Sequence, residues 1–396
     1  MAVELQTGLT KYPAVSPVSG GEGELDKCLF LEQWLREHGI DTLEYYDAPD
    51  PRAKGGVRPN LIATIEGKDA ALPSFWIMSH LDVVPAGELS FWNSDPWTVL
   101  NKDGKLIGRG VEDDQQGLVS SVLAALAFVK LKIQPERTLK LLFVADEECH
   151  SNFGIDWLLK NKRGLFGSGD FALVPDGGDP LGEEIEIIEK SAVCIKVHTI
   201  GVQSHAAYPE NGRNACLAGA DLTLRLRKGL IEKFSARDSL FDPDRSTVEP
   251  TKKEANVPNT NTVPGDDVFY MDIRLLPCYT VDELLEEANR IKRGVEKEYG
   301  VQVELIVVQQ SKQTKRTPAD SPVVKMLSTA CKEVLGVKTR LIGIGGGTVA
   351  AFLRNEGIDA AVWGTLDCKA HQPNEYCVIK NMLGDAKVMA HIAGQK

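Results

Sequence analysis

The sequence predicts an α/β protein: a large domain with a central, mostly parallel sheet, and a ferredoxin-like α+β domain inserted into it. Three observations predict this. Apolar strand-like runs alternate with helical stretches over the first 190 residues and again from about 317. Near residue 190 the rhythm changes to the order β-α-β-β-α-β. Several strand-like runs end on acidic or histidine-bearing turns, where the ligand loops of such sheets lie. The expected division is therefore 1–190, 191–312 and 313–396.

Taken in order, 25–39 ("LDKCLFLEQWLREHG") shows helical periodicity with Gly39 as its stop. Little of any helix is expected before "YPAVSPVSGGEGE". "NLIATIEG" and "SFWIMSHLDVVP" read as strands, 115–132 as a long helix, "RTLKLLFVADEE" as a strand, 153–160 as a helix and "FALVPDGG" as a strand. In the insert, "KSAVCIKVHTIG" alternates like a half-buried strand and 212–233 is helical. Strands "KKEANVPNTNTVP" and "DVFYMDIRLLP", helix 280–299 and strand "VQVELIVVQQ" follow. The α/β pattern then resumes with helix 321–335, strand "RLIGIGG", helix 347–356, strand "DAAVWGT" and a closing helix near 376–392.

With 396 residues, 43% of them hydrophobic, the chain can build more than one core. A net charge of −11 without a basic stripe speaks against nucleic acid and anionic membranes as partners. No apolar stretch approaches the ~20 residues of a membrane span, and "MAVELQTGLTKYPAVSP" holds no signal-peptide core. Eight cysteines without paired spacing suggest reduced thiols and a cytoplasmic location.

The chemistry gathers in short motifs. In "MSHLDVVP", His80 and Asp82 stand at i and i+2, so both project to one face of a strand end. "GRGVEDDQQG" places Glu112, Asp113 and Asp114 just before a helix, where acids are favourable for dipole and capping reasons alone. "VADEECH" ends a core strand on Asp146, Glu147 and Glu148, and "LVPDGG" ends another on Asp176. "KAHQPNEY" brings His371 after "DAAVWGT". Each motif alone reads as a solvated turn or a capped helix. Together they put two imidazoles and several carboxylates at successive strand ends of one sheet, a donor set for zinc, cobalt or manganese. There are acids enough for two such ions, which in co-catalytic sites lie ~3.5–4 Å apart.

"HLDVVP", "GRGxxDD", "DEE", "PDGG" and "HQPNE", in this order, resemble the co-catalytic zinc hydrolases of the acetylornithine deacetylase, succinyl-diaminopimelate desuccinylase and carboxypeptidase G group and related dipeptidases. The resemblance covers nearly the whole chain and makes the insert the family's lid. It implies two divalent ions. His80 and Asp176 would bind one, His371 and Glu148 the other, and Asp113 would bridge them. Asp82 would orient His80, and Glu147 would be the general base. In the lid, His205 of "GVQSHAAYP" would stabilise an oxyanion, from its own chain or across a dimer. Asn261 and Arg274 would hold the substrate's backbone and carboxylate. Gly346, Gly347 and Thr348 of "GIGGGT", read as part of the large domain, would form a glycine-rich carboxylate loop.

Two departures stand out. Gln115 and Gln116 replace a common Lys-Gly after the paired aspartates, and Cys149 and His150 replace a common Thr-Gly. Cys149 and Cys368 are read as bystanders. The expected activity is hydrolysis of an amide bond in short peptides or N-acyl amino acids with a free carboxylate, by a homodimer formed through the lid. The alternatives are an N-acyl-amino-acid deacylase, an aminopeptidase, or a metal-dependent binding protein without catalysis. An intact Glu147 argues against the last.

Overall fold

In a computed structural model, residues 1–311 and 313–395 are described, so the expected boundary at 312 lies outside them. The chain separates into two compact units: Met1–Ile187 with Arg316–Ile342 and Val349–Lys396, and Ile188–Lys315 with Gly343–Thr348.

The first unit is built on a sheet whose strands run in the order Leu43–Tyr45, Leu61–Ile65, Leu139–Val144, Phe75–His80, Phe171–Val174, Asp359–Val362, Glu184–Glu189 and Arg340–Ile344. Its middle is parallel: Phe75–His80 pairs in parallel with Leu139–Val144 and Phe171–Val174, and Asp359–Val362 joins Phe171–Val174 in the same sense. Leu61–Ile65 and Glu184–Glu189 pair antiparallel on the two flanks. Every residue of Phe75–His80 and of Phe171–Val174 is buried, as strands covered on both faces require. Trp76, Met78, Leu142, Val144, Ala172 and Val362 face helices Ile155–Asn161 and Ala350–Asn355. Helix Gln115–Leu131 packs on Phe75–His80 and Leu139–Val144, and on the closing helix Ile379–Ala393.

Several elements differ from the sequence reading. The strand expected at "KKEANVPNTNTVP" lies earlier, at Thr247–Lys253, and of the rest of that segment only Thr262–Val263 is a strand, in a separate two-stranded ladder. Ala2–Thr10 forms a helix ahead of "YPAVSP", because Leu5 and Leu9 fall on one face and are fully buried, while Gln6 and Thr10 find partners in Val111 and Gln115. "EIEIIE" forms the strand Glu184–Glu189, concealed by its three glutamates. Helix Pro322–Ala330 loosens into a π-turn over Cys331–Leu335 before Gly336.

The second unit carries the expected β-α-β-β-α-β order as strand Ser191–Ile200, helix Ala215–Lys233, strands Thr247–Lys253 and Asp266–Leu275, helix Val281–Tyr299 and strand Gln302–Gln310. Numbered within the unit, its four strands run 2-3-1-4, all antiparallel, as a ferredoxin-like sheet requires. Val193, Ile195 and Val197 alternate inward against Leu222, Leu226, Leu284 and Ile291 of the two helices. The "GIGGGT" segment clusters with this unit rather than with the larger one. The Gly343 amide donates to Leu240 O, the Phe241 ring occupies the space a Cβ at Gly343 would need, and Ile344 O accepts from the Lys190 amide.

Candidate metal centre

Neighbouring strand ends of the first unit bring the motifs together. His80 closes Phe75–His80, Glu147 and Glu148 form a single 3-10 turn after Leu139–Val144, Asp176 lies two residues past Phe171–Val174, and His371 sits in the loop after Asp359–Val362. Asp113 comes from the turn leading into helix Gln115–Leu131. That helix can approach because Gly117 lacks a Cβ, which would stand 2.3 Å from Asp114 Oδ1 and 2.6 Å from Pro175.

Asp113 touches both histidines. Its Oδ1 lies 2.9 Å from His80 Nε2 and its Oδ2 lies 3.1 Å from His371 Nε2. Asp176 Oδ1 stands 3.8 Å from His80 Nε2, and Glu148 Oε2 stands 3.1 Å from His371 Nε2. The ligating atoms of His80, Asp113 and Glu148 lie within 4.8 Å of one another, as do those of His80, Asp114 and Asp176. Asp114 points backward: its Oδ2 accepts the main-chain N–H of His80, and its buried Oδ1 has no hydrogen-bond partner. Glu112 turns away altogether and accepts N–H groups from Asp367 and Lys369.

The electrostatics are those of an acidic nest. Burial would lower His80, yet Asp113, Asp176 and Asp82 hold its pKa well above the ordinary value. Asp113 and then Glu148 raise His371 to about 10. Burial, and then the charge of Asp113, pushes Asp176 up to about 6. Burial also pushes Glu147 well above the usual carboxylate range, reinforced by Asp176. Among the described residues, no lysine or arginine pairs with Asp113, Asp114, Glu147, Glu148 or Asp176. Carboxylates desolvated without a basic side chain, beside two imidazoles, fit divalent cations; the protons on the histidines are what such ions would displace.

The supporting shell differs from expectation at Asp82. The group that meets His80 Nδ1 is the main-chain oxygen of Asp82, at 2.9 Å, while the nearer carboxylate oxygen is 3.6 Å away. The Asp82 carboxylate instead accepts the N–H of Glu147 on Oδ1 and that of Glu148 on Oδ2, each at 3.0 Å. Asp146 faces away from the histidines toward the fully buried Arg58, which also pairs with Glu24 and Asp50. Asp146, His150 and Ser151 adopt positive φ around this turn, and the Arg58 cluster and the Phe153 N–H to Asp146 hold it in place.

Glu375, the last residue of "HQPNE", is a structural acid. Its carboxylate accepts N–H groups from Gly110, Glu112 and Asp113 and pairs with Arg109, tying the His371 loop to the Asp113 turn. The signal available in the sequence was an acid among polar residues after an apolar strand. The departures are structural: Gln115 Oε1 accepts from Thr10, and Gln116 donates to Thr365 O and Asp385. Cys149 is half-buried with its sulfur 4.0 Å from Ser19 Oγ, and Cys368 is exposed.

The remaining expected residues belong to the second unit. His205 is exposed, pairs with Thr262 across a short ladder, and its Nδ1 accepts the Ala207 N–H. The Asn261 main-chain oxygen accepts from Ala206. Arg274 forms a two-point pair with Asp272 and donates Nη1–H to Gly345 O at 3.0 Å. A Cβ at Gly347 would meet nothing within 4 Å, so this loop leaves its backbone open, while Thr348 Oγ1 donates to Glu189.

The chain is similar to known proteins along nearly its whole length. The chain is 38% identical to an uncharacterized metallohydrolase of Methanocaldococcus jannaschii over 99% of this chain and 98% of that one. It is 27% identical to the succinyl-diaminopimelate desuccinylase of Rickettsia prowazekii over 94% of each. Among solved structures, a tripeptidase of Staphylococcus aureus matches with a TM-score of 0.79 at 19% identity, over 99% of this chain and 97% of that one. A metallo-carboxypeptidase of Sulfolobus solfataricus matches with a TM-score of 0.75 at 19% identity, over 99% and 98%. The model of peptidase family M20/M25/M40 matches residues 76–395, the span that holds His80, Asp113, Glu148, Asp176 and His371, and the chain belongs to that family of metallohydrolases.

Proposed function

We propose that this chain is a di-metal hydrolase that cleaves the amide bond of short peptides or N-acyl amino acids carrying a free carboxylate. The observation that supports it most is Asp113, whose two oxygens reach His80 and His371 separately, so that one carboxylate can serve two ions. In this reading His80, Asp113 and Asp176 hold one cation, and His371, Asp113 and Glu148 the other. Two divalent ions, zinc first with cobalt or manganese as alternatives, would polarise the scissile carbonyl and acidify the attacking water. Glu147 would take the proton from that water and return it to the departing nitrogen. Its carboxylate suits this role because it accepts no hydrogen bond from a described residue and its burial raises its proton affinity. His205 would donate to the oxyanion. Asn261, Arg274 and the Gly346–Thr348 loop would hold the substrate's backbone and carboxylate.

A deacylase acting on N-succinyl or N-acetyl amino acids is the second reading, favoured by the desuccinylase relatives at 27% identity. A homodimer formed through the second unit is also proposed. Strand Gln302–Gln310 is an edge of that unit's sheet, and it exposes Ile306 and Val308. The test is a panel of acetyl-, succinyl- and dipeptidyl-amino acids, each as free acid and as amide, with zinc, cobalt or manganese added. Turnover of free acids carries the proposal. Turnover of amides alone points to an aminopeptidase, and no turnover of any member to a binding protein.

A further inference from the structure

The two halves of the metal centre are built differently. His80 is 1% exposed, closes a fully buried strand, and rests its Nδ1 on the main-chain oxygen of Asp82. His371 has a side chain 54% exposed, and its Nε2 meets Asp113 and Glu148, the acids that would share its cation. A ligating imidazole is ordinarily aimed by a group on its second nitrogen, yet the Nδ1 of His371 has no hydrogen-bond partner among the described residues. The aim of His371 therefore depends on its main chain. That main chain lies in the irregular stretch between strands Asp359–Val362 and Tyr376–Val378, where Cys368, His371 and Asn374 all take positive φ. Non-glycine residues seldom adopt this conformation, and it persists where surrounding contacts over-determine it.

Glu112 supplies two such contacts. It is 3% exposed, and its carboxylate accepts the N–H of Asp367 at 2.8 Å on one oxygen and that of Lys369 on the other. These amides stand four and two residues before His371. No lysine or arginine pairs with Glu112 among the described residues, and the nearby charge of Glu375 disfavours its ionised form. Two charge-assisted bonds to one loop are what offset the burial of that anion. Glu112 also precedes Asp113, whose carboxylate reaches both histidines, and it falls on an open position of "GRGxxDD", so the motif itself assigns it nothing. We propose that Glu112 is a positioning residue for His371, holding the His371 loop against the Asp113 turn so that the second cation's site is formed before a cation arrives. This inference rests on the two-metal reading above. Glu112 is no ligand in it and acts through the main chain of residues 367–369, while the His80 site has its own supports in Asp82 and Asp176.

The test is a calorimetric titration of the full chain, stripped of metal, with zinc, for the wild type, His371→Ala and Glu112→Gln. The wild type should show two binding events, and His371→Ala should identify the one that belongs to His371 by losing it. Glu112→Gln keeps the size of the side chain but sets an NH2 group against one of the two amides. It should weaken that same event about tenfold to a hundredfold, the usual cost of removing a group that orients a ligand, and leave the other within about threefold. Hydrogen exchange, read residue by residue by mass spectrometry, gives a measure that needs no variant to fold. In the metal-free wild type the amides of Asp367 and Lys369 should already be protected. In Glu112→Gln they should exchange at least about tenfold faster, while Phe75–His80 stays protected. Should Glu112→Gln not fold, the wild-type exchange decides by itself. The inference alone is overturned if the wild type shows two events and Glu112→Gln leaves the His371 event unchanged or weakens both alike, or if the metal-free wild type leaves the two amides unprotected. A wild type that takes up a single zinc ion overturns it together with the two-metal reading.

Discussion

We predict that Asp82→Asn cripples turnover through the Glu147–Glu148 turn rather than through His80. Each carboxylate oxygen of Asp82 lies 3.0 Å from one main-chain nitrogen of that turn. An asparagine keeps one acceptor, now neutral, and sets an NH2 group against the other N–H. Losing one buried acceptor costs about 1–3 kcal/mol, and neutralising the other bond about 1 more, or roughly 2–4 kcal/mol together. If this loss falls on the transition state, which needs both glutamates in place, kcat drops about thirtyfold to a thousandfold. His80 should be less affected, because its Nδ1 rests on the Asp82 main-chain oxygen, which the substitution leaves alone. The assay is kcat at saturating substrate beside metal content by mass spectrometry after dialysis. A variant within about threefold of wild type would refute the clamp, since less than 1 kcal/mol would then reach the barrier. Loss of metal in proportion to rate would assign the carboxylate to His80 instead.

Glu147→Gln should keep both metals and the fold while losing nearly all turnover; metal analysis beside kinetics checks it, and a wild-type rate would remove Glu147 as the base. Asp113→Ala should lower metal content from two ions per chain toward none, because both histidines lose the same carboxylate; two ions retained after dialysis would place the bridge elsewhere. Metal affinity should rise with pH. Without metal, Asp113 and Glu148 raise His371 to about 10, so at neutral pH it is protonated and binding must release that proton. The apparent Kd should therefore improve about tenfold per pH unit for each proton released while pH stays below that value, read by competition with a metal indicator; a pH-independent Kd contradicts it. Amidating the substrate's carboxylate should cut kcat/KM about tenfold to a hundredfold, and Arg274→Ala should cost a similar factor on the acid but little on the amide. Equal hydrolysis of acid and amide by the wild type would end the carboxylate-anchor reading.

The cluster of His80, Asp113, Glu148, Asp176 and His371 was legible because side-chain identity and strand register suffice to find it. A histidine or carboxylate at the end of a fully apolar run has few structural explanations, and the strand order of the sheet then gathers such ends on one edge. The second unit was legible from its alternating periods for the same reason. What escaped the sequence is whatever depends on main-chain partners. Asp82 reads as a histidine-orienting acid until its oxygens are seen on two amides from a different strand end. Glu375 reads as a loop acid until it receives the amides of Gly110, Glu112 and Asp113, over 260 positions away. Its place in the chain puts the glycine-rich segment in the large domain, whereas its contacts are with Leu240, Phe241 and Arg274. Arg58 is the extreme case: an arginine beside a proline looks like a surface residue, yet it is fully buried among Glu24, Asp50 and Asp146. By holding Asp146 in a left-handed conformation it sets the direction in which the next two residues leave the strand. The three acids that end this core strand therefore part ways. Asp146 turns inward to a buried guanidinium, and that turn frees Glu147 and Glu148 to face the histidine side.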